Sequence, residues 1–259
     1  MTPSVREPRP DRSPRWAIYV VPSADSLLFR LGSALLGYDC RSGDDLAPPG
    51  GVDLPADWAA LVAPARRYGF HATLKAPFRL ASGCDADGLV RAVDALAREP
   101  RVPVVIRPVV RALGDFVAVV PAVRDAALDR LAADCVTRLD AFRAPLSDAE
   151  RARRLAAPLS PRQREHLDRW GYPYVFDDFR FHMTLTGPIA ADRRDAVVAT
   201  LAALLAPVTD AGALPIDRIV LSRQDGADAP FRVVHDAVLS GTGADAAHVT
   251  IPRLGEHTA

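Results

Sequence analysis

The sequence predicts an α+β fold of two similar lobes, each a small, mainly antiparallel sheet carrying helices, with a cleft between them. Two observations predict it. Short apolar stretches with strand-like alternation take turns with stretches of helical spacing along the whole chain. In addition, Phe70-His71-Ala72-Thr73-Leu74-Lys75-Ala76-Pro77 recurs as Phe181-His182-Met183-Thr184-Leu185-Thr186-Gly187-Pro188, an offset of 111 residues. Under that offset Arg107 falls on Arg218, Val109 on Val220 and the turn residue Gly114 on Asp225, so the repeat runs on through a helix and a hairpin without a gap.

Taken in order, Trp16 to Val21 reads as a strand and Ser23 to Leu36 as a helix behind a Ser23 cap. Asp39 to Asp57, dense in Gly, Pro and Asp, reads as loop. Phe70 to Phe78 is a strand, Asp85 to Arg98 a helix, Val102 to Val110 a strand, and Gly114-Asp115 turns the chain into a strand at Phe116 to Val120. Ala122 to Phe142 is a long helix, and Ser147 to Trp170 holds charged helical pieces broken by Pro158 and Pro161. Asp178 to Gly187 is again a strand and Ala191 to Leu205 a helix, followed by a hairpin of Ile216 to Arg223 and Phe231 to Leu239 across Asp225-Gly226. The domain spans 15–240, with lobe one at about 15–114 and lobe two at about 115–240. Residues 1–14 form a flexible N-terminus and 241–259 a loosely held tail.

Composition narrows the function. Of 259 residues 49% are hydrophobic and 25% charged, which is enough to bury a core and excludes disordered and fibrous classes. The 32 basic and 32 acidic side chains cancel, so the positive field of a dedicated nucleic-acid binder is missing and extended nucleic acid is not the expected partner. Cys40, Cys84 and Cys135 have neither disulfide-framework nor zinc spacing. No apolar run approaches the ~18 residues of a membrane span, and no targeting segment precedes the domain, so a cytoplasmic protein is expected. Lys75 is the sole lysine among 32 basic residues.

On a strand, His71, Thr73 and Lys75 project one way and Phe70, Ala72 and Leu74 the other; His182, Thr184 and Thr186 form the matching polar row. Two imidazoles and two hydroxyls facing one cleft suit a phosphodiester. Displacement at phosphorus needs a base for the attacking water and an acid for the departing oxygen, roles that imidazoles fill near neutrality without metal or cofactor. Thr73 and Thr184 can donate to the non-bridging oxygens, with Lys75 and Thr186 as further phosphate-binding positions. Tyr68, Tyr172 and Tyr174 flank the histidine strands and could stack on a base or ribose, although packing is the commoner use of such rings. Arg107 and Arg218 are candidates by their matched positions, with an ion pair the equal alternative. His166 and His235 lack a partner motif, the tail motif His248-Val249-Thr250 has no room for the downstream helix and hairpin, and the segment at 148–169 is a solvated insertion or a lid.

The paired His-x-Thr segments resemble the 2H phosphoesterase superfamily. More narrowly, Arg15-Trp16-Ala17-Ile18-Tyr19, Leu36-Gly37-Tyr38-Asp39, Arg67 to Lys75 and Phe179 to Gly187 are similar to the DUF1045 family, which is associated with bacterial phosphonate metabolism. The resemblance implies His71 and His182 as acid and base and Thr73 and Thr184 as the phosphate grip. It also implies a metal-independent phosphodiesterase acting on a cyclic or diester phosphate of a small ribose phosphate or nucleotide. An RNA-end 2′,3′-cyclic phosphodiesterase or 2′,5′-ligase-like enzyme would use the same residues, and a non-catalytic nucleotide-binding module is the alternative of another class. Oligomeric state is not legible.

Overall fold

The computed structural model describes residues 13–241, so most of the expected flexible N-terminus, most of the tail and the His248 motif lie outside the described residues. β1 (Arg15–Val20) leads to α1 (Leu27–Leu36). The helix is capped by Ser26, whose side chain accepts from the Phe29 N–H; Ser23 instead closes the preceding turn through its carbonyl. α2 (Trp58–Arg66), which the sequence reading passed over, precedes β2 (Ala72–Phe78). Then come α3 (Ala86–Ala97), β3 (Val104–Ile106), β4 (Pro108–Leu113), β5 (Phe116–Pro121) and α4 (Ala126–Arg138). α5 (Asp148–Leu155), α6 (Pro161–Trp170), β6 (Met183–Thr184), α7 (Ala191–Thr209), β7 (Leu214–Ile216), β8 (Arg218–Gln224) and β9 (Arg232–Val238) complete the order.

The fold is mixed α+β, as expected, with an antiparallel sheet, but the strands do not divide into one small sheet per half. Seven form a single sheet in the order β4-β5-β6-β2-β1-β8-β9, and β3 pairs with β7 separately. The reason is an exchange of neighbours. β8, from the second half, hydrogen-bonds to β1, while β4, from the first half, sits beside β5. Each half fills an edge that the other leaves open. Equivalent strands of the repeat also pair with each other: Ala72 of β2 opposes Met183 of β6, and Val105 of β3 opposes Pro215 of β7.

One sheet face carries Trp16, Ile18 and Val20 of β1, Leu74 of β2, Val117 and Val119 of β5, and Ile219 and Leu221 of β8. It packs on the apolar stripes of α3 (Leu89, Val93), α4 (Leu128, Leu131) and α7 (Val197, Leu201, Leu205). The alternate residues Ala17, Tyr19 and Val21 form a smaller cluster with Phe231 on the opposite face. The strand predicted for Asp178 to Gly187 is only two residues long. A 3₁₀ turn at Phe176–Asp178 precedes it, and beyond Thr184 the N–H groups of Leu185 and Thr186 both donate to the Val117 carbonyl, which ends the ladder.

Candidate active site

The two His-x-Thr segments meet at the centre of the large sheet. Ala72 and Met183, directly opposed, are equivalent residues under the 111-residue offset, and both turn into the core. Antiparallel register then seats His71 beside Thr184 and Thr73 beside His182 on the other face. Opposed residues of such a pair lie about 4.5–5.5 Å apart, so all four side chains can reach one phosphate.

Both imidazoles are held in the same tautomer. His71 Nδ1 donates to the Gly69 carbonyl at 2.9 Å and His182 Nδ1 to the Arg180 carbonyl at 2.8 Å. A carbonyl only accepts, so the ring proton of each neutral histidine sits on Nδ1 and Nε2 is the basic nitrogen. Thr73 Oγ1 donates to His71 Nε2 across 3.2 Å. Gly69 makes this local turn with φ +71°, and a Cβ there would lie 2.4 Å from the Cys40 Cβ, so no other residue fits.

Burial pushes the His71 imidazole down to about 4, against the opposing pull of the Gly69 carbonyl, and the neighbouring His182 adds to the lowering. Burial also lowers His182, opposed by the Arg180 carbonyl. Tyr19 lies with its ring centroid 4.0 Å from that of His71, and Phe116 stands 5.6 Å from His182. The Tyr19 hydroxyl is buried without a hydrogen-bond partner, and burial holds its phenol well above the usual value, so it stays protonated.

A cavity of about 770 Å³ lies beside these groups, its wall including Tyr19, His71, Thr73, Thr184, Tyr172 and four arginines but not His182. Among the described residues no carboxylate lines it. Among the described residues no group of three or more His, Cys, Asp or Glu is placed to hold a metal ion, and no helix is long and apolar enough to cross a membrane.

Residues 73–232 match the family described as "Protein of unknown function (DUF1045)". The chain belongs to the DUF1045 family. It is 37% identical over 236 residues, 88% of this chain, to a "Ribose 1,5-bisphosphate phosphokinase PhnN" of Janthinobacterium sp. (strain Marseille), and covers 51% of that protein. It is 35% identical over 224 residues, 85% of this chain, to the protein of the same name from Laribacter hongkongensis (strain HLHK9), covering 50% of it. The chain thus spans about half the length of these curated relatives.

In this DUF1045 chain the candidate residues divide. His71, Thr73, Thr184, Tyr68 and Tyr172 line the cavity, and His182 stands in the same row by register. Thr186 lies in the wall, but its Oγ1 accepts from the Val117 N–H at 3.0 Å and so pins β6 to β5. Lys75 is turned away. The register between β1 and β2 slips between the Tyr19–Thr73 and Ile18–Lys75 pairs, a bulge that puts Thr73 on the Tyr19 face and Lys75 on the Ile18 face. There it is 3% exposed, and its Nζ donates to the Val136 carbonyl at 2.9 Å and to Asp140 Oδ1 at 3.1 Å. Arg107 is exposed between β3 and β4, and Arg218 is paired with Asp217 at 2.9 Å; neither lines the cavity. Tyr174 is exposed and packs edge-on against Tyr172.

The wall residues that sequence reading missed are Arg15, Tyr19, Arg67, Phe116, Arg153 and Arg154. Two of them were within reach, because Arg15 and Tyr19 alternate with Ala17 on the face of β1 that turns away from the helices.

Proposed function

We propose that the chain is a 2H-type cyclic phosphodiesterase that opens a cyclic or diester phosphate on a small ribose phosphate, with His71 and His182 as base and acid. The observation that carries this reading is the Ala72–Met183 register, which sets the two His-x-Thr segments side by side and antiparallel beside one cavity. Antiparallel pairing of equivalent strands, with equivalent residues opposed at β2–β6, supports a pseudo-twofold relation between the halves and a cleft on its axis.

The chemistry follows from the two rings. Both favour the neutral form, because burial lowers both. A bound phosphodiester anion favours the charged form of one of them, which supplies the acid. We assign the base to His71, the ring for which burial and a neighbouring imidazole both oppose protonation. Its Nε2 takes a proton from water as the water oxygen bonds to phosphorus. The bond to the ribose oxygen breaks, and that oxygen takes the proton of the His182 Nε2. The Thr73 and Thr184 hydroxyls, one beside each imidazole, donate to the non-bridging oxygens where charge collects. The donor set supports a reaction without metal, since a catalytic divalent cation calls for carboxylates or a histidine cluster beyond two imidazoles.

The relatives' name adds a substrate. Breaking the O2–phosphorus bond of a ribose 1,2-cyclic phosphate that also carries a 5-phosphate yields ribose 1,5-bisphosphate, the compound on which those proteins are named to act. This chain has no Gly-rich phosphate loop ending in lysine: its one lysine, Lys75, follows His71-Ala72-Thr73-Leu74 and is buried against Asp140. We therefore assign the kinase chemistry to the other half of those proteins and the ring opening to this half, with phosphonate metabolism as the setting.

Phosphorus NMR on the full chain tests this with a 1,2-cyclic ribose phosphate, a nucleoside 2′,3′-cyclic phosphate and a short RNA ending in a cyclic phosphate. Ring opening of the ribose ester with EDTA present is the expected result. Loss of activity in EDTA, restored by added metal, overturns the acid–base reading. Opening only of the RNA end makes the chain an RNA-end enzyme, and tight binding of all three without turnover makes it a binding module.

A further inference from the structure

The cavity has a second chemical feature that the two histidines do not use. About half of the described arginines are ion-paired: Arg66 lies 2.5 Å from Asp45, Arg143 2.7 Å from Asp140 and Arg193 2.6 Å from Asp57. The arginines in the cavity wall, Arg15, Arg67, Arg153 and Arg154, are different. None has a carboxylate partner among the described residues. Arg15 spends its Nε on Gln224 at 2.7 Å and lies over the Phe231 ring, and Arg67 donates to the Ala227 carbonyl. Arg154 is the least satisfied: its Nε is buried without a partner, and its guanidinium lies 5.1 Å over the Tyr172 ring.

These cations also feel one another. Burial is the main cause that lowers Arg15, and Arg67 and Arg79 add to it; burial likewise lowers Arg154, with Arg153 and Arg15 adding to it. An anion placed among partly buried like charges relieves their repulsion. Glu150 acts on Arg154 from the same helix, but it is committed to Arg79 and to the Ser147 N–H and hydroxyl.

The placement has a structural origin. α5 opens with a Ser147–Glu150 capping box, Glu150 ties it to Arg79 just beyond β2, and Arg151 joins Asp168 of α6 at 2.8 Å. α6 ends on the left-handed Gly171, and Tyr172 follows at once. The paired helices thereby carry Arg154 and Tyr172 to the cavity wall, where β1 supplies Arg15. The charged segment at 148–169 is thus part of the site wall and not only a solvated insertion.

We propose that Arg15, Arg154 and Tyr172 form a second anion subsite, which holds a phosphomonoester carried elsewhere on the substrate whose ring phosphate lies on the His–Thr pairs. This rests on the cyclic phosphodiesterase reading and deepens it: the substrate class becomes a cyclic ester bearing a second, terminal phosphate. The guanidinium of Arg154 and the phenol of Tyr172, which burial keeps protonated, both stand in the cavity wall and supply donors to a phosphate dianion. A nucleoside 2′,3′-cyclic phosphate, with no terminal phosphate, leaves the subsite empty.

The test compares ribose 1,2-cyclic phosphate with and without a 5-phosphate on the full chain, as wild type, Arg154→Ala, Arg154→Lys and Arg15→Gln. Wild type should favour the 5-phosphorylated ester in kcat/KM by ~100-fold, the loss of two charge-assisted hydrogen bonds. Arg154→Ala and Arg15→Gln should each cut that preference by ~10-fold through KM, and Arg154→Lys should recover part of it. No preference in wild type, or equal loss on both esters in the variants, overturns the subsite. Calorimetric titration of ribose 1,5-bisphosphate and ribose as probes separates the two readings. Bisphosphate binding that falls in Arg154→Ala, without ring opening of either ester, sinks the hydrolase and keeps the subsite, whereas ring opening without discrimination does the reverse.

Discussion

The two copies of the His-x-Thr segment share a register and a tautomer but not an environment. His71 lies tilted against Tyr19, takes a hydrogen bond from Thr73 and is pushed down to about 4 by burial. His182 faces a phenylalanine, Phe116, and carries no hydrogen bond on Nε2 among the described residues. After the shared motif the copies diverge further: Lys75 is bulged into the helical side, while Thr186 holds the Val117 N–H. Duplication supplies two equivalent imidazoles, and different neighbours can then fit one to accept a proton and the other to give one.

The largest expected effect comes from removing either ring. His71→Ala and His182→Ala should each lower turnover at least ~100-fold with the circular dichroism spectrum unchanged, since each deletes one proton-transfer partner. Steady-state kinetics on the cyclic ester would break the comparison if one variant kept a near-normal rate. A smaller effect, and of another kind, is expected at the position where the copies part. Lys75→Met should cost about 1–3 kcal/mol of folding stability by leaving the Val136 carbonyl and Asp140 without their buried cation, while the folded fraction keeps its kcat and KM. Urea unfolding and kinetics together check this, and a kinetic defect at unchanged stability would return Lys75 to the site.

Tyr19→Phe probes the neighbour that only His71 has. Deleting a buried, unpartnered hydroxyl should raise stability by up to ~1 kcal/mol, read as a higher urea midpoint; a lower midpoint would show that the hydroxyl has a partner. A further check is a pH slope. His71 binds its proton less readily folded than unfolded, so between pH 6.5 and about 4 the unfolded chain holds more protons and stability falls as the pH drops. The lowered His182 adds the same sign. The urea midpoint should therefore decline over that window, and His71→Asn should flatten the decline; a flat wild-type curve would mean that burial leaves the ring untouched.

Much of this was legible because the repeat is a two-residue pattern on strands. His71, Thr73, His182 and Thr184 follow from alternation alone, and so does the burial of Ala72 and Met183. Lys75 was misplaced by the same rule, since a bulge adds one residue and alternation has no mark for it. The sharing of one sheet between the halves was hidden for a related reason: the periodicity of β4 and β8 tells which face is apolar, not which strand lies alongside. Arg154 and Tyr172 were beyond pattern reading altogether, because they meet through two helices whose pairing depends on surface ions such as Arg151–Asp168.

The exchange of edge strands also sets a timetable for the molecule. Arg15 of β1 is bonded to Gln224 of β8, 209 residues later. At a synthesis rate of ~5–20 residues per second, β1 emerges roughly 10–40 s before the strand that covers its edge. Until then the growing chain carries the open edge of β1, an apolar strand, which is a ready template for pairing with other chains until the second half arrives.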